Sequence, residues 1–251
     1  MTVITKDNGK RELPFDHARL VDYIHSHGIE DEEFINKVVT MITYKDKFPA
    51  REIPELVIKV ALENVDIDSP EWTFIASKVR LTTMYKEAGK NRRTPKGEKY
   101  GDCVKLVEML TEMGIYHEDI MEKYSKEELG QVGEMIVPER DELLTFPGLR
   151  TLQTRYLAVD GDKNTYELPQ ERWLMIALWL MQNEPKDKRM EYVEQAYWAL
   201  SNLYMTVATP TLANAGKKHP QLSSCFIDTV GDSLREIYDS NTDVATLSKH
   251  G

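Results

Sequence analysis

The chain is poor in cysteine, in long apolar runs and in metal-ligand patterns, and each scarcity excludes a class of protein. Its two cysteines lie far apart, which excludes a disulfide framework or a thiolate zinc cluster within the chain. No apolar run reaches the roughly 18–20 residues of a membrane span, and the first residues lack the apolar segment of a signal peptide. The six histidines show no spacing typical of ligands. We therefore expect a soluble cytoplasmic protein that binds no metal through its own side chains.

Positive charge is also in short supply. The chain has 32 Lys and Arg against 42 Asp and Glu, for a net charge of -10. Binding a nucleic acid polymer normally requires a basic face, so the composition argues against such a partner. A single nucleotide needs only a few Lys, Arg or backbone N–H groups, and this option stays open. The phosphate-binding patterns G-x-x-x-x-G-K-[ST] and G-x-G-x-x-G do not occur in the sequence.

The N-terminal part of the chain is predicted to combine a hairpin with helices. Two short strand-forming runs flank a turn that contains Asn8-Gly9, the strongest short signal for a hairpin. Apolar periodicity then predicts helices over about Asp16–His27, Asp31–Tyr44, Glu52–Val65 and Pro70–Glu87. Ser69 is the expected N-cap of the fourth helix, with Pro70 at its first position.

A basic, breaker-rich stretch follows these helices. Gly89–Lys99 carries five basic residues and is predicted to be a linker or an exposed loop. Its basic side chains either contact phosphate or belong to an ordinary solvated loop. After Tyr204, short apolar runs broken by Pro, Gly, Asn and Ser indicate strands and loops.

The residues from Tyr100 to Tyr204, which follow the basic stretch, have a mostly helical pattern. Ser125 and Glu128 form the signature of a capping box. Leu157–Tyr166 is predicted to be a hairpin, and Trp173–Met181 is a helix that is apolar nearly all round. Such a helix is expected to be buried within a larger assembly.

Cys225 is the first candidate for chemistry. A lone cysteine in an apolar run is most often a small buried hydrophobic residue. Here Ser223 and Ser224 precede it, and Thr209 and Thr211 lie upstream beyond a loop. Hydroxyl groups and loop N–H groups suit an anionic ligand, beside which a thiol acts as a nucleophile or a reductant.

Reversible two-electron reduction by Cys225 needs a second thiol. The other cysteine, Cys103, precedes the apolar residues Leu106, Val107 and Leu110 on a predicted core helix. We interpret Cys103 as structural, so a redox partner of Cys225 must lie outside this chain.

Two further groups of residues are candidates for anion binding. Lys6, Gly9 and Arg11 lie on the predicted hairpin next to the helix start at Phe15–His17, and Lys86 is expected to join them. The alternative is that Lys6 and Lys86 are ordinary solvated lysines. Near the other end, Asp232 has the form of an N-cap for a helix from Ser233 to about Ser248, and capping is its alternative role.

These segments occur in an order that resembles one family. Val3-Ile-Thr-Lys6-x-x-Gly9 followed by Pro14-Phe15-Asp16-x-x-Arg19-Leu20 resembles the ATP-cone of ribonucleotide reductases. Thr209-Pro-Thr-Leu-Ala-Asn-Ala-Gly216, Gln221-Leu-Ser-Ser-Cys225-Phe and Gly231-Asp-Ser-Leu234 resemble the entry to the catalytic barrel of the class I large subunit. The resemblance implies a mainly α fold with some β. Residues 1–91 would form a cone with a small sheet cap, residues 92–205 a helical domain, and residues 206–251 the start of an incomplete ten-stranded α/β barrel.

The resemblance implies reduction of ribonucleoside diphosphates to the 2′-deoxy form by thiol and radical chemistry, for DNA precursor synthesis. It implies that Cys225 is one of two reducing thiols that end as a disulfide, and that Thr209 and Ser224 hold the substrate. The residues implied to bind the activity effector, ATP or dATP with Mg²⁺, are Lys6, Arg11, Glu12, Leu13, Pro14, Phe15, Asp16, His17 and Lys86. Those implied to contact the specificity effector are Asp232, Ser233 and Leu234.

The resemblance also implies partners. They are the remainder of the large-subunit barrel, a small subunit that supplies the radical, a reductant of the thioredoxin or glutaredoxin type, and further copies in an oligomer. We expect the chain to become active only when the rest of the barrel joins it. The alternative is a stand-alone regulatory module that binds ATP or dATP. A purely structural helical protein would instead bury Cys225 in a dry core, with Thr209 and Ser224 pointing away.

Overall fold

The computed structural model describes residues 2–95 and 97–250, without the side chains of Asp7 and His250. The chain is mainly helical with one small sheet, as the sequence predicts. Contacts group it into two compact units, Met1–Gly101 with Val137–Gln170, and Asp102–Ile136 with Glu171–Gly251. The three-part division expected from the resemblance stays a prediction. No described helix is both long enough and apolar enough to span a membrane.

The helices, in chain order, are α1 (His17–His25), α2 (Glu32–Thr43), α3 (Ile53–Glu63), α4 (Trp72–Arg92), α5 (Cys103–Glu112), α6 (Asp119–Lys123), α7 (Lys126–Glu134), α8 (Phe146–Arg155), α9 (Pro169–Met181), α10 (Lys186–Ser201), α11 (Thr209–Asn214) and α12 (Leu234–His250). The first three lie within two residues of their predicted bounds. α1 and α2 begin where the carboxylates of Asp16 and Asp31 accept hydrogen bonds from first-turn N–H groups.

The predicted hairpin is confirmed, and it belongs to a three-stranded sheet. β1 (Val3–Lys6) pairs antiparallel with β2 (Arg11–Pro14) and parallel with β3 (Lys47–Pro49). Asn8 and Gly9 close the turn with positive φ angles of 56° and 86°, which Asn and Gly tolerate well. β3 was not predicted, because three residues ending in proline carry no periodic signal. Only its pairing with β1 identifies it.

One apolar core unites the sheet with α1 to α4. Ile24, Val38, Val57 and Val79 come from four different helices, and all four are fully buried. Burial of each such side chain contributes roughly 1.5–3 kcal/mol. This core holds the ends of β1, β2 and α4 in fixed positions, which places the side chains of the candidate site.

The start of α4 differs from the prediction. Ser69 does not cap the helix, because α4 begins only at Trp72. The carboxylate of Asp66 instead accepts hydrogen bonds from the N–H groups of Asp68 and Ser69 at 2.9 and 2.7 Å. These bonds hold Ser69 in a turn before the helix. Ser69 therefore donates its backbone N–H to the Asp66 carboxylate instead of accepting a hydrogen bond from the first turn of α4.

The predicted loop over Gly89–Lys99 is wrong in its first part. α4 continues through Gly89 to Arg92, and it ends where Arg93 adopts a left-handed conformation with φ of 58°. The N–H of Thr94 then donates to the carbonyl of Gly89 at 2.9 Å. A glycine inside a helix costs only about 1 kcal/mol relative to alanine, so it does not end the helix by itself.

The second unit confirms the capping box, and it buries the apolar helix within this chain. Ser125 and Glu128 exchange both expected hydrogen bonds at the start of α7. In α9 every residue from Trp173 to Trp179 is buried. Cys103 is buried in α5, as predicted for a structural cysteine.

Two predicted β features differ in the structure: one hairpin is only a single bridge, and the strands predicted after Tyr204 are absent from the described residues. Leu157–Tyr166, in the first unit, forms a single antiparallel bridge between Val159 and Thr165 rather than a two-stranded hairpin. In the second unit, Thr209–Asn214 is helical, and Gln221–Thr229 forms no strand. A strand needs a neighbour for its backbone groups, and the described residues offer this segment none. The start of a barrel therefore stays a prediction.

Candidate functional site

A cleft of about 270 Å³ lies in the first unit between the sheet and the helices. We call it the first cleft. Six of the nine predicted activity-effector residues line it, namely Lys6, Leu13, Pro14, Phe15, Asp16 and Lys86. Its other lining residues are Ile4, Arg19, Leu20, Tyr23, Ala50, Ile53 and Pro54. The fold thus brings the ends of β1 and β2, the start of α1 and the C-terminal half of α4 to one cavity.

The first cleft combines cations with an apolar wall. Lys6, Arg19 and Lys86 contribute the positive charge. The carboxylate of Asp16 is engaged, because it accepts the Arg19 N–H at 3.1 Å and caps α1. The N-terminus of α1 adds its partial positive charge to that of the three cations. This arrangement suits a ligand with an anionic end and a flat apolar end.

Tyr23 is a titratable group in the wall of the first cleft. Burial, followed by the nearby charge of Glu55, raises the pKa of its phenol to about 12. The hydroxyl therefore stays protonated near neutral pH and keeps a hydrogen to donate. Its ring also packs edge-on against His27, whose pKa is lowered mainly by burial.

Three predicted effector residues lie outside the first cleft. Arg11 and Glu12 are exposed on β2, and Glu12 pairs with Lys47 on β3. His17 opens α1 but lines a separate depression that it shares with His25. The fold therefore places these three side chains away from the lining of the cavity.

A larger cavity in the first unit was not predicted. We call it the second cleft; it has a volume of about 770 Å³. Its lining residues are Lys78, Leu81, Thr82, Tyr85, Lys86, Gly89, Lys90, Arg93, Thr94, Pro95, Gly97, Glu98, Lys99 and Glu142. Lys86 lines both clefts. Lys78, Thr82, Lys86 and Lys90 recur at four-residue spacing in the sequence, and this polar stripe was the available signal.

A buried carboxyl group lies behind the second cleft. Asp141 has no solvent exposure and accepts hydrogen bonds from the hydroxyls of Tyr85 and Tyr100 at 2.6 Å each. The side-chain amide of Gln170 donates to its other oxygen at 2.7 Å. Burial raises the pKa of Asp141, and these hydrogen bonds partly oppose the rise. The group fixes Tyr85 in the cleft wall.

In the second unit, the structure places Cys225 in an exposed segment. The Sγ atom lies 3.8 Å from the Oγ of Ser224, which is also exposed. Asn214 at the end of α11 donates to the carbonyl of Gln221 at 2.9 Å, which fastens this segment beside the helix. Thr209 opens α11 and is exposed. The buried, dry position expected of a purely structural protein is thus not observed.

The turn before this segment requires a glycine. Gly216 has φ of 72°, and a Cβ atom there would clash with the Sδ of Met175. The carbonyl of Gly216 accepts a hydrogen bond from the N–H of His117 at 2.9 Å. Glycine therefore permits the close approach that fixes the chain before it reaches Cys225.

The start of α12 corrects one prediction. Asp232 is not the N-cap, because the helix begins at Leu234 and Ser233 occupies the capping position. The Oγ of Ser233 accepts the N–H of Glu236 at 3.2 Å, and the Glu236 carboxylate accepts the N–H of Ser233 at 3.1 Å. Ser233-x-x-Glu236 is itself a capping-box pattern, which explains the shift by one residue. Asp232 is left exposed.

Comparisons with known proteins bear on these segments. A family model described as "Ribonucleotide reductase, all-alpha domain" matches residues 142–220. Proteins named ribonucleoside-diphosphate reductase subunit alpha match along most or all of the chain. The one from Helicobacter pylori (strain ATCC 700392 / 26695) is 33% identical over 256 residues, covering 100% of this chain and 31% of the relative. The one from Treponema pallidum is 36% identical over 207 residues, covering 82% and 24%.

A third relative, ribonucleoside-diphosphate reductase 1 subunit alpha of Escherichia coli (strain K12), is 29% identical over 244 residues, covering 94% of this chain and 30% of the relative. The chain belongs to the ribonucleotide reductase large-subunit family. It corresponds to an N-terminal portion of that subunit and spans no more than 31% of the length of these relatives.

Sequence reasoning on this large-subunit portion missed Arg19 and Tyr23 as cleft residues. Arg19 was visible as a cation in the first turn of α1, and Tyr23 follows it by four residues on the same helix face. Among the described residues, no group of three or more His, Cys, Asp or Glu side chains is placed to hold a metal ion.

Proposed function

We propose that this chain is the effector-binding part and the first catalytic part of a large subunit that reduces ribonucleoside diphosphates to 2′-deoxyribonucleoside diphosphates. The observation that carries the proposal is its similarity, over the whole chain, to a subunit with that name. The first cleft adds geometric support, and so does the exposed segment Gln221–Cys225, which we call the thiol segment.

The first cleft would hold ATP or dATP as the activity effector. Lys6, Arg19 and Lys86 would form charge-assisted hydrogen bonds with the phosphates, with Mg²⁺ carried by the nucleotide. Phe15 and Ile53 offer apolar surface to the base or sugar. Arg11, Glu12 and His17 do not line the first cleft, so they would influence the bound nucleotide only from outside it.

The thiol segment would supply one of the two reducing thiols. When the ribose 2′-hydroxyl leaves as water, two electrons and two protons come from Cys225 and a second thiol in the remainder of the large subunit, and the pair becomes a disulfide. A reductant of the thioredoxin or glutaredoxin type returns both thiols. Thr209 and Ser224 would hold the substrate, and the radical that starts the reaction comes from the small subunit. Asp232, Ser233 and Leu234 would contact the specificity effector.

Exposed apolar side chains support association with the remainder of the subunit. Phe226, Ile227 and Val230 follow Cys225, and Leu234 and Tyr238 lie on α12, all of them largely exposed. Apolar surface of this kind marks contact with another polypeptide. We therefore propose that the remaining barrel covers it, within an oligomeric enzyme.

Reconstitution tests the catalytic part of the proposal. The chain is combined with a polypeptide that carries the remaining large-subunit sequence, with a small subunit and with a dithiol reductant. Nucleotide reduction should appear and should be abolished by Cys225→Ser. Cys103→Ala is the control, because Cys103 is buried in a helix and should not exchange electrons. A Cys225→Ser enzyme that turns over normally would refute the role of Cys225.

A stand-alone regulatory module is the second candidate function. It is favoured by the first cleft, which is built entirely from residues 4–86 and is complete without any catalytic segment. Calorimetric titration of the chain with ATP and dATP tests it. Lys6→Ala should weaken binding about tenfold or more, because a charge-assisted hydrogen bond to a phosphate is lost. Lys10→Ala, an exposed lysine of the same hairpin, is the control. Binding without reduction after reconstitution would support the regulatory module.

A further inference from the structure

A buried histidine lies behind the wall of the first cleft. His27 is only 4% exposed and follows the end of α1. Its ring packs edge-on against Tyr23, a wall residue of the first cleft, with 4.7 Å between the ring centres. Its Nε2 atom lies 3.2 Å from the Oγ1 of Thr82, which precedes Lys86 by about one turn of α4. His27 therefore joins the two helices that bring Tyr23 and Lys86 to the cleft.

The hydrogen bonds around His27 lack one hydrogen when the ring is neutral. Its Nδ1 atom lies 2.8 Å from the carbonyl oxygen of Tyr23, which only accepts, so Nδ1 carries the hydrogen. The Nε2 atom of the neutral ring is then an acceptor. The single hydroxyl hydrogen of Thr82 has two acceptors, this Nε2 and the carbonyl of Lys78 at 3.1 Å. An imidazolium donates from Nε2 instead, which leaves the Thr82 hydrogen for Lys78.

Burial and positive charge oppose the protonation of His27. Burial is the main cause that lowers the pKa of its imidazole, and the charges of Lys86 and Lys78 on α4 lower it further, against the hydrogen bond to Tyr23. On α3, the charge of Glu55 acts on the phenol of Tyr23 and is itself held in an ion pair. An anion bound at Lys86 would offset part of the repulsion from α4 and so favour the imidazolium.

We propose that His27 takes up a proton when an anionic effector binds in the first cleft, and that the proton completes the hydrogen-bond link between α1 and α4. The proposal rests on the proposed effector function and adds a regulation of the same site. By linkage, the anion and the proton each favour the binding of the other by the same factor. The chain with bound effector holds more protons than the free chain, so effector affinity rises as the pH falls. His27 is a positioning residue, because it acts on the ligand only through Tyr23 and Lys86.

Calorimetric titration of the 251-residue chain with ATP measures this proton. Titrations near the ordinary pKa of histidine, about 6.5, in buffers of different ionisation enthalpy count the protons taken up per ATP. The protons of ATP itself contribute to every variant and cancel in the comparison. Wild type should take up on the order of half a proton more than His27→Gln, because only wild type has an imidazole there. Between about pH 8 and about pH 6, the ratio of wild-type to His27→Gln affinity should rise about fivefold.

Two further variants separate the titration of His27 from general effects. Thr82→Val removes the hydroxyl that accepts from the imidazolium, so it should lower the proton uptake while the histidine remains. His25→Gln removes an exposed histidine of α1 and is the matched control, which should take up as many protons as wild type. NMR titration of the wild-type His27 ring needs no variant to fold, and its pKa should rise when ATP is added.

Equal proton uptake by wild type and His27→Gln would overturn the proposal, and so would loss of the uptake in His25→Gln. An NMR titration of His27 that ATP does not shift would also overturn it. A chain that binds no ATP at any pH would refute the effector function and this coupling together. ATP binding without the additional proton would refute the role of His27 alone.

Discussion

Replacing Asp141 tests whether the buried carboxyl group organises the wall of the second cleft. The wild-type carboxyl accepts three hydrogen bonds, from Tyr85, Tyr100 and Gln170, and has no contact with solvent. In Asp141→Ala those three donors lose their acceptor inside the protein. Each buried donor without a partner costs about 1–3 kcal/mol, and removal of a buried charge offsets part of the total. We expect a loss of stability on the order of 3–5 kcal/mol.

Asp141→Asn should behave differently. Its Oδ1 atom still accepts from both tyrosine hydroxyls, and its amide N–H group faces Gln170. The Gln170 amide can turn over to present its oxygen, so most of the hydrogen bonds are retained. We expect a cost of no more than about 1–2 kcal/mol near neutral pH.

The pH dependence provides a second measurement with a fixed sign. Burial raises the pKa of Asp141 above the ordinary value of 3.8 in the folded state, so the folded chain binds more protons than the unfolded chain. Stability due to this group therefore falls as pH rises from the unfolded pKa through the folded pKa, and is constant above it. Asparagine does not titrate. The free energy of unfolding of wild type minus that of Asp141→Asn should fall across this window.

Urea unfolding from about pH 4 to about pH 8, followed by circular dichroism, measures both effects. Hydrogen exchange of α4 amides reports on the first unit alone. The reasoning is refuted if Asp141→Ala is within about 1 kcal/mol of wild type, since buried donors without partners cost more than that. It is also refuted if the difference between wild type and Asp141→Asn rises with pH.

Three further outcomes are expected in the second unit. Gly133→Ala should destabilise it by about 1–3 kcal/mol in urea unfolding, because the new methyl group would lie 2.8 Å from the Cβ of Cys103; an unchanged midpoint would contradict this contact. Arg189→Ala should lower the free energy of unfolding by about 3 kcal/mol in the same assay, because it removes a buried guanidinium that donates to Glu128 at 2.7 Å. A variant as stable as wild type would show that the pair contributes nothing. A disulfide reagent should modify one thiol of the native chain quickly, that of the exposed Cys225, and the buried Cys103 only after unfolding; two fast thiols would disprove the burial.

Local patterns predicted elements well where a helix carried both an apolar stripe and a cap. α1 and α2 begin at Asp16 and Asp31 as capping chemistry dictates, and Ser125 caps α7. Predictions failed where the outcome depended on a neighbour. β3 exists because β1 offers it a parallel partner, and Gln221–Thr229 forms no strand because the described residues offer it none.

The sequence predicted the first cleft in large part, but it did not predict the second cleft. Lys6 and Lys86 are far apart in sequence, and the sequence already grouped them as candidates for anion binding; the fold places both in the first cleft. Their assignment as nucleotide ligands stays a prediction. The second cleft was missed because its residues come from more than three turns of α4, from the loop after it and from Glu142.

The sequence by itself determined that this chain is mainly helical, where α1, α2, α3 and α7 begin, that Cys103 lies inside and that Cys225 stands among hydroxyl groups. These properties follow from periodicity, capping and composition, which act over a few neighbouring residues. Only the tertiary structure decided which lysines share a cavity and which strands find a partner. Cavities and strand pairs join residues distant in the chain, and their geometry depends on how the whole core packs.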